Sequence, residues 1–160
     1  MNFYQSVGFL FFGTRLKRLG EIFLSDVNRI YRQHNIPFDA SLFPVFYILS
    51  KEGEVSIRHI AEQLHISHSA ASQMVSGLKL KGFLKSTVSK KDARHKSVTF
   101  TVKGEKLLQK VLPVWDALQE AMEETAAASK ESRKILNALT ALEQTLQTAG
   151  VYERAEQKLN

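Results

Sequence analysis

The segment from Asp92 to Gly104 constrains this chain more than any other. It sets a basic turn between two runs suited to β-strands and ends where a helix begins. Residues 83–89 and 97–102 are rich in β-branched and aromatic side chains. Val98, Phe100 and Val102 alternate with Thr99 and Thr101, which predicts two antiparallel strands. Between them the turn carries Lys90, Lys91, Arg94, His95 and Lys96 against a single acid, Asp92.

Upstream of this hairpin the apolar spacing is helical. Ile57, Ile60, Ala61 and Leu64 fall at i, i+3, i+4 and i+7 behind Ser56, a good cap. A tight turn follows at His65-Ile66. Ser67 then caps a second helix, whose buried stripe is Ala71, Met74, Val75 and Leu78. At about 100° per residue the opposite side presents Ser69, Ser72, Gln73 and Ser76, flanked by Ala70, Gly77 and Lys79. Gly82 is placed to end this helix in a left-handed conformation.

The remaining elements are helical as well. Leu19, Phe23, Val27 and Ile30 mark a long amphipathic helix from Leu16 that ends at Asn35-Ile36-Pro37. A helix is expected from Ser41 to Lys51, with Pro44 tolerated in its first turn and Gly53 at its close. Thr101 caps a further helix lined by Leu108, Val111, Trp115, Leu118 and Met122, which Pro113 should kink. Ile135, Leu139, Leu142 and Leu146 mark a last helix, and the polar tail after Gly150 carries little signal. The fold class is therefore mainly α with a small β-hairpin wing, a winged helix-turn-helix. The 160 residues are read as a single domain, with 38–104 forming the winged part and helices at 1–36 and 105–150 available for dimerisation.

Charge supports a polyanionic partner for the middle of the chain. The net charge is +6. Residues 1–50 carry five Lys/Arg against three Asp/Glu (+2), residues 51–104 ten against four (+6), and residues 105–160 seven against nine (−2). Phosphate neutralisation by the winged part requires this asymmetry. The greasy N-terminus, with Phe3, Val7, Phe9, Leu10, Phe11 and Phe12, exposes more aromatic surface than a terminal helix can bury, so a second subunit is expected to cover it.

Several function classes are disfavoured. Without cysteine the chain has no disulfide, thiolate metal site or thiol switch. No apolar run is long enough to span a bilayer and no signal-peptide pattern is present, which gives a cytoplasmic expectation and no membrane partner. His59, His65 and His68 lack a completing set of ligands, so no metal or other cofactor is expected. No nucleophile with a paired base and no phosphate-cradling glycine loop indicates an enzyme.

Two motifs together resemble the MarR family of bacterial transcription regulators across roughly residues 14–148. One is Asp92-x-Arg94 followed by Val98, Thr101 and Gly104, with Phe100 where the family usually has Leu. The other runs from Ile60-Ala61-Glu62-Gln63-Leu64 through Ile66-Ser67, Ser72, Val75 and Leu78 to Lys81-Gly82-Phe83-Leu84. The resemblance implies a homodimer on a pseudo-palindromic double-stranded DNA site, mostly acting in repression, with release by a small-molecule effector in many members. By similarity Arg94 enters the minor groove and Asp92 helps to hold it. His65 replaces a usual Gly, Gly77 replaces a polar residue, and Ala70 and Ala71 replace bulkier ones.

The DNA-facing set is thus Ser67, His68, Ser69, Ala70, Ser72, Gln73, Ser76 and Lys79 on the helix, with Lys90, Lys91, Asp92, Arg94, His95 and Lys96 on the wing. Gln73 is suited to adenine and Ala70 to a thymine methyl, while a narrow A/T-rich minor groove favours Arg94. Phe3, Val7, Leu10, Phe11, Ile135, Leu139, Leu142 and Leu146 are the dimerisation residues. Phe43, Tyr47 and Trp115 are candidates for an effector pocket. The alternative is a protein-interaction module that uses the same scaffold without specific DNA binding.

Overall fold

The fold is described from a computed structural model, for residues 3–88 and 96–159. Two compact units divide the chain, one up to Val114 and one from Trp115. In the first unit, α1 (Phe3–Ser6) and a 3-10 turn (Gly8–Phe11) lead into α2 (Phe12–Gln33). Helix α2 starts four residues ahead of the expected Leu16. Its end is a left-handed Asn35 (φ 51°), with the Ile36 amide bonded back to the Tyr31 carbonyl at 2.9 Å. Asn is among the few side chains that tolerate this conformation.

A short 3-10 turn at Ala40–Leu42 is capped by Asp39, whose carboxylate accepts from the Ser41 amide and hydroxyl at 2.8 and 2.6 Å. Helix α3 (Phe43–Glu52) follows, with Pro44 in its first turn and Gly53 at φ 76° closing it. Then come α4 (Ile57–Leu64) and α5 (His68–Leu80).

The sheet has three strands rather than two. β2 (Leu84–Val88) and β3 (Lys96–Phe100) form the expected antiparallel hairpin, with Leu84 opposite Phe100 and Ser86 opposite Val98. A two-residue strand, β1 (Val55–Ser56), adds to the other edge of β3, pairing Val55 with Val98. So short a strand has no alternation of its own to be read from sequence. The expected extension of β3 to Val102 is also corrected. The strand stops at Phe100, because Thr101 caps α6 (Val102–Ala127), and Val102 is an exposed first-turn residue.

Phe46, fully buried on α3, is the hub of the first unit's core. It meets Phe38 and Phe100 at ring-centre distances of 4.7 Å and Phe83 at 6.4 Å, and Tyr31 of α2 packs on Phe38 at 5.5 Å. Ile60, Ala71, Val75, Leu78 and Val98 are buried as well. Helix α6 continues through Pro113, and Leu107 and Val111 are its buried apolar side chains, with Leu108 half-buried.

In the second unit, α7 (Ile135–Thr148) is the expected last helix and carries Ile135, Leu139, Leu142 and Leu146. The tail after Gly150, which carries little signal in sequence, forms a further helix, α8 (Val151–Leu159). It has no buried residue, so no core-facing stripe announced it. Among the described residues no helix is long and apolar enough to cross a membrane.

Candidate nucleic-acid interface

The exposed face of α5 is set by four helix-end stops and starts, at Ser56, His65, Ser67 and Gly82, and by one buried stripe. Ser56 accepts from the His59 amide at 3.0 Å and starts α4, which positions the helix packed behind α5. His65 adopts the left-handed conformation (φ 51°, ψ 41°). The Ile66 amide returns to the Ala61 carbonyl at 3.1 Å, a helix stop usually given to Gly. Ser67 then accepts from the Ala70 amide at 3.1 Å and starts α5. Three residues, His65, Ile66 and Ser67, therefore suffice to turn the chain from one helix into the next.

At the far end of α5, Gly82 sits at φ 74°. The Phe83 amide bonds to the Leu78 carbonyl at 3.0 Å and the Gly82 amide to the Lys79 carbonyl at 2.9 Å, the paired bonds of a Schellman stop. Both ends of α5 are thus fixed by local chemistry that the sequence announces.

Burial divides α5 as the periodicity predicts. Ala71, Val75 and Leu78 are buried, while Met74 of the same stripe is half-buried. Ser67, His68, Ser69, Gln73, Ser76 and Lys79 are exposed, and Ala70 and Ser72 are half-buried on the flanks. Lys79 leans toward the sheet, its ammonium donating to the Ser86 hydroxyl of β2 at 2.7 Å. The open face therefore offers hydroxyls, one carboxamide and little bulk.

Leu80 adds an apolar side chain to this face that the sequence pattern hides. It lies seven residues beyond Gln73, on the same face, and is 90% exposed. Helical spacing from Gln73 was the available signal. It was obscured because Leu next to a core residue reads as core.

Of the wing residues, Lys90, Lys91, Asp92, Arg94 and His95 lie outside the described residues, and Lys96 enters as backbone only, opposite Val88 in the hairpin. What is described is the base that carries them. Thr101 donates to the Gly82 carbonyl at 2.6 Å and accepts from the Gly104 amide at 3.0 Å, while its own amide bonds to the Phe83 carbonyl at 2.9 Å. Gly104 is buried against that carbonyl so closely that a Cβ would overlap it. Thr101 and Gly104 thus join the hairpin's exit to the end of α5.

The histidines are dispersed in role. His59 pairs with Glu52 at 2.7 Å, His65 occupies the turn and His68 opens α5. Among the described residues no three His, Cys, Asp or Glu side chains gather as metal ligands. Phe43 and Tyr47 stack at 5.4 Å and are partly exposed, and Trp115, in the second unit, is half-buried. Phe3 and Leu10 are exposed at the N-terminus, with Val7 and Phe11 half-buried. In the second unit Ile135 and Leu146 are exposed, with Leu139 and Leu142 half-buried.

Comparisons with known proteins agree with this geometry. Residues 42–95 match the model of the MarR family. No curated protein matches the chain. Among solved structures, the chain is similar to the M. tuberculosis transcriptional regulator MOSR in complex with DNA, at 17% identity and a TM-score of 0.68 over 86% of this chain and 97% of that one. S. aureus MepR in its DNA complex gives 16% identity and a TM-score of 0.68 over 84% and 97%. Bordetella bronchiseptica BpsR, whose DNA binding is regulated by 6-hydroxynicotinic acid, gives 19% identity and a TM-score of 0.60 over 86% and 93%. Residues 42–95 are therefore similar to the MarR family, within a fold that the chain shares with these structures over most of its length.

Proposed function

We propose that the protein is a sequence-specific DNA-binding transcription regulator, acting in repression as a homodimer on a pseudo-palindromic operator. The observation that carries this reading is α5, capped at both ends. It shows Ser69, Gln73 and Ser76 on the side opposite buried Ala71, Val75 and Leu78. In a major groove Gln73 pairs with adenine N6 and N7, and the serines bond phosphates or base edges. Few side chains on this face are long enough to read bases, so groove shape and Arg94 on the wing carry much of the specificity.

Dimerisation follows from apolar surface that the single chain leaves open. Phe9 and Leu10 are 91% and 86% exposed, and Leu16, Leu19 and Phe23 form an exposed stripe along α2. Two copies related by a two-fold axis would bury that surface and present two recognition helices to successive half-sites. Residues 1–36 and 105–150 serve this assembly in our reading, and 38–104 serve DNA. The regulation of BpsR by a small molecule supports an effector for this chain as well, with Phe43 and Tyr47 its candidate contacts in the first unit. Binding to a chromosomal operator supports a cytoplasmic location.

Selection of bound duplexes from a random pool, followed by polarisation titration across salt, tests the reading. A two-fold symmetric consensus with half-sites about one helical turn apart is expected, with affinity falling steeply as salt rises. Arg94→Ala should weaken binding by more than about 1 kcal/mol. Binding without sequence preference or salt dependence would refute the proposal.

A further inference from the structure

A side-chain bond joins α5 to the hairpin. The Lys79 ammonium donates to the Ser86 hydroxyl at 2.7 Å, seven residues further along the chain. The two ends of this bond are supported differently. Lys79 lies in the last turn of α5, where Val75 and Leu78 are buried and Gly82 stops the helix, so its backbone is fixed. Ser86 lies on β2, an edge strand of the three-stranded sheet.

The level of the bond in the ladder matters. Ser86 is opposite Val98, and Val98 is opposite Val55 of β1 on its other side, so the three form one row across the sheet. Val55 and Val98 are buried, whereas Ser86 is exposed. The row is therefore held at one edge by β1 and at the other by Lys79. Beyond Ser56, where β1 ends, the hairpin is two strands wide, and a two-stranded ribbon is marginal by itself. Past Ser86, the ladder pairs Thr87 with Ser97 and Val88 with Lys96 lead to residues 89–95, which include Arg94.

We propose that Lys79 is a positioning residue, which sets the hairpin against α5 through Ser86 and does not itself bind a DNA phosphate. This rests on the DNA-binding function proposed above. A ribbon held in place beforehand loses less conformational freedom when it meets the duplex, so the bond raises affinity without touching DNA. Ser86 makes the two roles of Lys79 separable. Its hydroxyl is neutral, so removing it breaks the bond and takes no charge from the interface, whereas a phosphate contact by Lys79 would be indifferent to Ser86.

Lys79→Met, Ser86→Ala and the double variant of the full chain test this, by polarisation titration on a duplex selected from the random pool and by hydrogen exchange without DNA. Each single change should weaken binding about three- to tenfold, the scale of one lost hydrogen bond. The double variant should bind no more weakly than Lys79→Met, since both changes remove the same bond. In the free protein, amides of residues 84–88 and 96–98 should exchange at least threefold faster in both single variants, with those of α5 unchanged. Both altered side chains are exposed, and circular dichroism melts confirm that the variants fold. Wild-type affinity for Ser86→Ala, with the salt slope of Lys79→Met reduced by about one, would make Lys79 a phosphate contact and overturn the proposal. Additive losses in the double variant, or hairpin exchange equal to wild type, would overturn it as well. If the wild-type chain selects no duplex, the regulatory function fails, and the exchange measurement alone decides whether Lys79 holds the hairpin.

Discussion

Thr101 donates its hydroxyl proton to the carbonyl of Gly82, nineteen residues earlier, at 2.6 Å. The same oxygen accepts from the Gly104 amide. One side chain therefore starts α6 and satisfies a carbonyl left over where α5 stops, so the two ends of the hairpin are tied at its base.

Gly104 is the tightest point of that junction. A methyl group there overlaps the Phe83 carbonyl, which is backbone and cannot swing aside. Gly104→Ala should lower stability by about 1–3 kcal/mol, the usual cost of overpacking. Urea denaturation measures it, and a midpoint equal to wild type would contradict the packing argument.

Gly77 presents the opposite case. It lies within α5 and a Cβ there would meet nothing within 4 Å, so the fold itself does not require Gly. Gly77→Ala should raise stability by about 0.5–1 kcal/mol. If DNA comes close to this position, the same change should weaken operator binding. Paired melting and polarisation measurements should give opposite signs, and a gain in both would remove Gly77 from the interface.

His65 holds a left-handed conformation at φ 51° and is exposed, so its backbone angle matters more than its burial. His65→Val should cost about 1–2 kcal/mol, since a β-branched residue is poorly accommodated at positive φ. His65→Gly should be at least as stable as wild type. Equal melting temperatures for the two variants would show that the turn carries no such strain.

Asp39 provides a pH signature. Its folded pKa is depressed, first by the Ser41 hydroxyl, then by the Ser41 amide, against a small opposing effect of burial. A depressed carboxylate stabilises the fold above its unfolded pKa, and the contribution is lost as pH falls through the folded value. Asp39→Ala should cost about 1 kcal/mol at neutral pH, as for a lost cap. The difference from wild type should shrink below about pH 4, where the carboxylate begins to protonate. A pH-independent difference in urea midpoints would contradict this.

Leu10, almost wholly exposed in the single chain, is the simplest probe of assembly. Leu10→Asp should leave the melting of a monomer unaffected and weaken dimerisation by roughly 2 kcal/mol or more, about thirtyfold, as for an interface hot spot. Sedimentation equilibrium reads the change directly. A dimer of unaltered strength would place the interface elsewhere.

The sequence by itself determined the local stops and starts. Ser56, Ser67, Gly53 and Gly82 act through bonds to residues three to five positions away, and the Ala71, Val75 and Leu78 stripe repeats at the helical period, so both are legible along the chain. Thr101 was legible as a cap, but its bond to Gly82 was not, and Gly104 was legible as a motif residue without its reason. Both depend on the hairpin bringing residues 83 and 101 together. The tertiary structure also decided β1, which exists only because β3 offers it an edge. Arg32, Lys81 and Lys103 likewise come from separate parts of the chain and line one groove only once Phe46 has gathered the core around Phe38 and Phe83.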